Sequence, residues 1–132
     1  MEKLGNIRYI ARQFTHSQPP LTFLKYHLKN LKNEYGDVFT DLGLVNENGI
    51  QFAYEGPFKL ENADYSQAHW FLNAIQQPYY ISDVFVGLRG HPHFIISVKI
   101  HAGDIDYILR ATVNFGAFNF LVENIHIGKT GI

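Results

Sequence analysis

The sequence contains no cysteine, no excess of charge of either sign and no long hydrophobic run. Without cysteine, disulfide bridges, thiolate chemistry and cysteine-rich zinc sites are excluded. The 11 basic and 12 acidic residues give a net charge of −1. The basic surface typical of nucleic-acid-binding proteins is therefore missing, and nucleic acid is not expected as a partner. The longest apolar stretches are far shorter than a membrane span, so the segment itself is expected to be soluble.

Aromatic residues, by contrast, are abundant. They make up 15% of the 132 residues, with 11 phenylalanines and 8 tyrosines. Aromatic side chains favour β-strands, so several strands are expected. The length is that of a single domain, which buries roughly two-thirds of the surface that the unfolded chain exposes.

The first part of the chain, residues 1–35, is predicted to be a helical region with one break. Apolar residues recur at intervals of three and four on both sides of Ser17–Pro20, where two prolines interrupt the helix. After the break, the apolar stripe consists of Leu21, Leu24, Leu28 and Leu31. Two interpretations are open: the helices cover a sheet of the same chain, or the leucines form the seam of a parallel dimer.

The second part, residues 36–132, is predicted to be rich in strands and to form one structural domain with the helical region. Alternating apolar residues between turn signals predict strands over 38–45, 50–54, 79–86, 93–101 and 106–114. Strands joined by short hairpins, with helices at the start and across one face, indicate an α+β fold. Its centre is predicted to be an antiparallel sheet of about five strands.

Two short helices are predicted among these strands. Asp64 and Gln67 have the spacing of a capping box, which predicts a helix that begins there and ends at residue 76. A closing helix is predicted over 115–124, with Phe118, Leu121 and Val122 on its inner side.

Motifs for catalysis or metal binding are weak or missing. Gly128–Thr130 has the end of a phosphate-loop pattern but lacks the glycine five residues earlier. His91 and His93 are two candidate metal ligands, but no third ligand stands at a suitable spacing. No nucleophile elbow, pair of carboxylates or Ser/His/Asp order can be singled out. The segment is therefore predicted to have no catalytic residues, no metal site and no cofactor.

A family resemblance adds to this interpretation. It follows the course of the chain through DYSQAHWFLNAIQQPYYISDVF, PHFIISVKI and YILRATVNFGAFNFLVENIHIGKTG. This course resembles the membrane-distal module of a double Cache sensor domain, the PAS-like extracytoplasmic input of bacterial receptors. The last strands and the terminal helix are most similar to members found on sensor histidine kinases. The resemblance implies a long N-terminal helix along a homodimer, a small-molecule pocket and a membrane-anchored parent protein.

Within that family, the subgroup that binds amino acids has the pattern Arg-x-Trp-Tyr on the pocket helix and an aspartate late in the sheet. This sequence keeps Trp70 and the tyrosines that follow at 79–80. It has Ala68 in place of the arginine, Phe71 in place of the tyrosine and Asn114 in place of the aspartate. The arginine is the group best suited to a carboxylate, and the aspartate pairs with an ammonium. A free α-amino acid is therefore not the expected ligand.

The corner from the short helix to the third strand is predicted to form one wall of a pocket. Aromatic rings would supply apolar area, and Tyr80, Ser82 and Asp83 would orient the ligand. Alternatively, the rings only fill the core and Asp83 pairs locally. Arg89 is open to two roles, as a partner of Asp83 or a ligand anion, or as an ordinary exposed side chain. The predicted ligand-binding residues are Tyr65, His69, Trp70, Phe71, Tyr80, Ser82, Asp83, Arg89 and Asn114.

The function predicted from the residues and the resemblance together is ligand sensing. The chain would be the periplasmic, extracytoplasmic input module of a bacterial inner-membrane receptor, specifically a two-component sensor histidine kinase. A small molecule would bind in the pocket, and the N-terminal helix would transmit the signal. The alternative is a PAS-like dimerisation or interaction module that binds no small molecule.

Overall fold

The computed structural model describes residues 2–86 and 90–129. Its five strands are β1 (Phe39–Val45), β2 (Gln51–Glu55), β3 (Tyr79–Ile81), β4 (His93–Ala102) and β5 (Ile105–Asn114). They form one sheet in the order β2-β1-β5-β4-β3, in which every neighbouring pair is antiparallel. The predicted five-stranded sheet is thus confirmed. The predicted boundaries differ by at most one residue, except that β3 ends five residues early.

The hairpin between β1 and β2 follows from its turn residues. The Asn46 side chain accepts hydrogen bonds from the backbone nitrogens of Asn48 and Ile50, at 2.9 and 3.1 Å. Gly49 has φ +87°, a conformation that other residues rarely adopt. A side chain there would also collide with the Ser66 backbone, so this turn requires glycine.

The helices are α1 (Glu2–Arg12), α2 (Pro20–Tyr35), α3 (His69–Ala74) and α4 (Phe115–Lys129). The predicted break between α1 and α2 is confirmed, and Pro20 stands at the first position of α2, where proline is tolerated. On one face of the sheet, α1 packs on β4 and α2 packs on β1 and β2. Within residues 2–86 and 90–129, no helix combines the length and the hydrophobicity needed to cross a membrane.

The leucine stripe of α2 serves this intramolecular core. Leu24, Leu28 and Leu31 are buried against the sheet, with 6% exposure or less. Leu21 lies outside the core and is 42% exposed. The dimer seam predicted through these four leucines is therefore wrong, because three of its members are buried within the chain. The other interpretation, helices that cover the chain's own sheet, is correct.

The predicted capping box does not begin a helix. The Asp64 carboxylate accepts a hydrogen bond from the Ser66 backbone nitrogen at 2.8 Å and closes a local turn. Hydrogen bonds from the Ser66 side chain and backbone lower the pKa of Asp64. Helix α3 begins later, at His69, and no side chain caps it. The Asp64 carboxylate is thus used for a local hydrogen bond to the Ser66 backbone and does not cap a helix.

The closing helix packs on the sheet through a partly different set of residues from the predicted one, namely Phe115, Ala117, Phe118 and Leu121. Phe118 contacts Phe94 of β4 with the ring centroids 5.5 Å apart. Leu121 also packs against the core, as predicted, whereas Val122 is 45% exposed and does not lie on the inner side.

One titratable group in the helical layer links stability to pH. His27 of α2 packs against the Phe23 ring at 4.6 Å between centroids, and burial lowers the pKa of its imidazole. A lowered pKa in the folded state means that folding favours the neutral ring. The resulting stability is present above the unfolded-state pKa, about 6.5, and is lost as the pH falls through the folded-state value.

We therefore expect the urea midpoint of the wild-type chain to fall more steeply below about pH 6.5 than that of His27→Gln. The measurement is a pair of denaturation series over the same pH range. Parallel curves for the two proteins would show that His27 does not contribute to the pH dependence.

Candidate ligand-binding site

The second face of the sheet carries a separate and smaller hydrophobic cluster. Trp70, Phe71 and Ala74 of α3 pack there against strand residues Val45, Ile95 and Ile108. Beside this cluster lies a cavity of about 480 Å³, bounded by α3, β3 and β4. This volume is within the range of small-molecule sites, roughly 300 to 1,000 Å³. The cavity is lined by Tyr65, Ala68, His69, Trp70, Tyr80, Ser82, Asp83, Phe85, His93 and Ile95.

Trp70 belongs both to the cluster and to the cavity wall. Its side chain is 7% exposed, and its ring centroid lies 5.2 Å from that of Tyr65 and 6.0 Å from that of Phe71. Such tilted and edge-on ring contacts are favourable. The two roles that the sequence left open for this ring, core and pocket, are therefore combined.

Ser82 stabilises an irregularity in the edge of the sheet. Its backbone nitrogen donates to the Ile95 carbonyl at 2.9 Å, whereas the Ile95 nitrogen donates to the Ser82 hydroxyl. The next pair is Phe85 with His93. From Ser82 to Phe85 the chain advances three residues, whereas from Ile95 to His93 the facing strand β4 advances only two. The extra residue is a bulge, a feature that re-aims side chains. It explains why β3 ends at Ile81 and not at the predicted residue 86.

The bulge also limits what the Ser82 hydroxyl can offer a ligand. The hydroxyl donates its hydrogen to the Asp83 carbonyl at 2.9 Å and accepts one from the Ile95 nitrogen. A hydroxyl has one hydrogen and two acceptor lone pairs, so one lone pair is left for a ligand. Ser82 is chiefly a structural residue of the cavity wall.

Asp83 is the negatively charged group of the cavity wall. Its side chain is exposed. Among the residues that the structure describes, none forms a hydrogen bond or an ion pair with its carboxylate. The local pairing that the sequence left open is therefore not found within the described chain. The carboxylate is available to a partner from solution.

Of the predicted ligand-binding residues that the structure describes, two are not in the cavity wall. Phe71 is 3% exposed and packs in the cluster behind Trp70. Asn114 ends β5, and its side chain accepts a hydrogen bond from the Ala117 nitrogen at 3.0 Å, which caps α4. Arg89 lies outside the described residues. The other six, Tyr65, His69, Trp70, Tyr80, Ser82 and Asp83, all line the cavity.

Four further lining residues were not predicted, namely Ala68, Phe85, His93 and Ile95. Sheet register could have indicated two of them. Tyr80 pairs with Ser97, so the alternation of β4 places Ile95 and His93 on the same face as Ser97. The His93 imidazole contacts the His91 carbonyl at 3.1 Å, and its ring lies 4.3 Å from that of Phe85. The described residues contain no cluster of three side chains suited to hold a metal ion.

A buried ionic network lies behind the cavity, next to Tyr65. Arg110 of β5 is 1% exposed, and its guanidinium donates to the Asp41 carboxylate at 3.1 Å and to the Gln51 side-chain oxygen at 3.0 Å. Its Nη1 also donates to the Thr112 hydroxyl. The Nη2 atom has no hydrogen-bond partner among the described residues. The guanidinium carbon, however, lies 5.7 Å from the Tyr65 ring, a cation–π distance.

The network depends on a glycine and a tyrosine in neighbouring strands. A side chain at Gly43 would come within 1.9 Å of the Gln51 oxygen and 3.2 Å of the Arg110 Nη2, so it would displace the Gln51 amide from the guanidinium. The Tyr54 hydroxyl donates to Asp41 at 2.7 Å. Burial and the Asp41 carboxylate raise the pKa of the Tyr54 phenol well above its usual value. The phenol therefore stays protonated and keeps donating to the carboxylate.

Comparison with known proteins finds a similar fold in solved structures only. No protein-family model matches the sequence. No curated protein matches it either. Among solved structures, the ligand-binding domain of the Campylobacter jejuni chemoreceptor Tlp3, in complex with 4-methylisoleucine, superposes with a TM-score of 0.67 at 12% identity. The match covers 86% of this chain and 50% of that chain.

Two further solved structures are similar. An extracellular ligand-binding receptor from Desulfohalobium retbaense has a TM-score of 0.67 at 12% identity, over 86% of this chain and 22% of that chain. The extracellular domain of a candidate histidine kinase, rpHK1S-Z16, has a TM-score of 0.61 at 13% identity, over 89% of this chain and 49% of that chain. This chain therefore spans half or less of each of these proteins. At such low identity the likeness shows the fold alone, and the predicted α+β, PAS-like fold class is confirmed.

Proposed function

We propose that the chain is an extracytoplasmic ligand-sensing module of a bacterial membrane receptor and that a small molecule binds in the cavity between α3, β3 and β4. The observation that carries the proposal is an aromatic cavity with a carboxylate in its wall, that of Asp83, which no described residue pairs with. Apolar walls with a few polar groups are the usual composition of small-molecule sites. The groove between α1 and α2 is smaller, about 320 Å³, and is lined mainly by polar and tyrosine side chains.

The finer identity is part of the same proposal. The chain would be the membrane-distal module of a double Cache domain, in the periplasmic part of an inner-membrane sensor histidine kinase. Two matched proteins are about twice the matched length, which supports a tandem of modules. One of them is the extracellular domain of the candidate histidine kinase. The segment would have no catalytic role itself.

The route for the signal runs through β4. Ile95 lines the cavity, and its neighbours Phe94 and Ile96 point to the opposite face, where they join the core that α1 and α2 cover. A ligand that shifts β4 would therefore change how the helical layer packs on the sheet. Homodimerisation would use the outer surface of these helices, where Tyr9 and Tyr26 are each 60% exposed.

The test is a thermal-melting screen against small metabolites that include amines, amino acids, organic acids and sugars. A compound that binds the folded state raises the melting temperature by mass action. Each hit is repeated with Asp83→Asn, in the cavity, and with Tyr26→Ala, in the α1–α2 groove, as the matched control. We expect the Asp83 variant to lose the stabilisation and the Tyr26 variant to keep it. If no compound stabilises the wild-type chain, the alternative of an interaction module without a ligand is favoured.

Asp83→Asn should separate binding from folding. Because the carboxylate is exposed and unpaired among the described residues, its loss should change the free energy of unfolding by no more than about 0.5 kcal/mol. Urea denaturation measures that change. A loss of more than about 2 kcal/mol without ligand would mean that Asp83 makes a structural hydrogen bond and is not a recognition residue.

A further inference from the structure

The charge of the described cavity wall is negative. Of its ten described residues, Asp83 alone carries a permanent charge, and none is lysine or arginine. The buried cation Arg110 lies behind the Tyr65 ring and is paired with Asp41 at 3.1 Å. A ligand anion would meet the Asp83 carboxylate and find no cationic side chain in the described wall. Like charges at such a site disfavour binding.

The rings of the wall add to this preference. Four aromatic residues surround the cavity: Tyr65, Trp70, Tyr80 and Phe85. The face of an aromatic ring is electron-rich and attracts ammonium groups, most strongly in tryptophan. Several rings together with one carboxylate form a site that favours a cation bearing apolar substituents. Neither the rings nor the carboxylate would require a charged partner from elsewhere in the chain.

We propose that the molecule bound in this cavity is an organic ammonium compound, a primary to quaternary amine with a small apolar body. The proposal rests on the proposed ligand-sensing function and specifies its ligand class. Asp83 neutralises the ammonium, the rings contact its hydrogens or methyl groups, and Ala68 and Ile95 contact the apolar body. Asp83 thus takes over the role of the aspartate whose place is occupied by Asn114. Nothing in the described wall takes over the role of the arginine whose place is occupied by Ala68. A free amino acid keeps a partner for its ammonium only.

Pairs of molecules with equal shape and different charge test the proposal. Choline is compared with its neutral isostere 3,3-dimethylbutan-1-ol, and phenethylamine with 2-phenylethanol. Calorimetric titrations run at about pH 8, where an imidazole is ordinarily neutral, so that histidines add no charge. In at least one pair, we expect the ammonium compound to bind about tenfold or more tightly than its neutral partner. Asp83→Asn should remove most of that difference, and L-isoleucine should bind more weakly than the preferred amine.

The outcomes distinguish the ligand class from the function. If neutral partners bind as tightly as the ammonium compounds, or L-isoleucine binds best, the cavity is a binding site but the ammonium proposal is wrong. If an ammonium compound binds equally well to Asp83→Asn and to wild type, the charge of the wall is not the cause, and the proposal is again wrong. If no probe binds at millimolar concentration, the ammonium proposal fails, and the melting screen above decides separately whether the chain binds any other class of small molecule.

Discussion

Replacing Asp41 with asparagine should lower the free energy of unfolding by about 3 to 5 kcal/mol. The carboxylate is fully buried and pairs with the Arg110 guanidinium, which is 1% exposed. Without it, no described carboxylate pairs with the buried guanidinium. Since a domain of this kind is stable by only about 5 to 15 kcal/mol, the variant should lose a substantial part of its stability. Urea denaturation, followed by circular dichroism, measures the loss.

Two control variants test whether the loss of stability in Asp41→Asn comes from the unpaired Arg110 guanidinium. Tyr54→Phe removes only the hydroxyl bonded to Asp41 and should cost less, about 1.5 to 3 kcal/mol. Adding Arg110→Met to Asp41→Asn removes the unpaired cation, so the double variant should regain part of the lost stability. If Asp41→Asn costs less than about 1 kcal/mol, water reaches the guanidinium, and the network is not the dry ion pair described above.

Trp70→Ala should cost about 3 to 5 kcal/mol of stability and also abolish binding in the cavity. The side chain is 7% exposed and packs between Tyr65 and Phe71, so its removal leaves a large void. Leu72→Ala is the matched control on the same helix. Leu72 is 42% exposed, and its replacement should change stability by no more than about 0.5 kcal/mol.

The two α3 variants are compared by urea denaturation and by melting with any compound that stabilises the wild-type chain. Leu72→Ala should keep the ligand-induced rise in melting temperature. A cost below about 1 kcal/mol for Trp70→Ala would show that the ring lies mainly in open space and that the second hydrophobic cluster is not a core.

Local patterns in the sequence were sufficient to predict most of the fold. Pro19 and Pro20 mark the start of the second helix, and Gly49 with Asn46 closes the first hairpin, so element order followed from nearby residues. Whether Leu24, Leu28 and Leu31 face the chain's own sheet or a second copy could not be decided from spacing. Both arrangements need the same apolar stripe, and only tertiary packing distinguishes them.

The candidate site was predictable in part, for a related reason. Tyr65, Trp70 and Asp83 could be placed at the corner from the helix–strand pattern and the family resemblance. The Arg110–Asp41 pair could not be found, because the two residues are 69 positions apart and meet only through the β1–β5 register. An isolated arginine in a strand is ordinarily exposed.

The position of the binding site can be tested through one side chain. Trp70 is the only tryptophan in the sequence, so its indole N–H gives a single signal in a proton–nitrogen correlation spectrum. We expect every compound that raises the melting temperature to shift this indole signal, together with the backbone amides of α3 and β3. A compound that stabilises the protein, leaves the indole signal in place and shifts the amides of α1 and α2 would contradict ligand binding at this cavity.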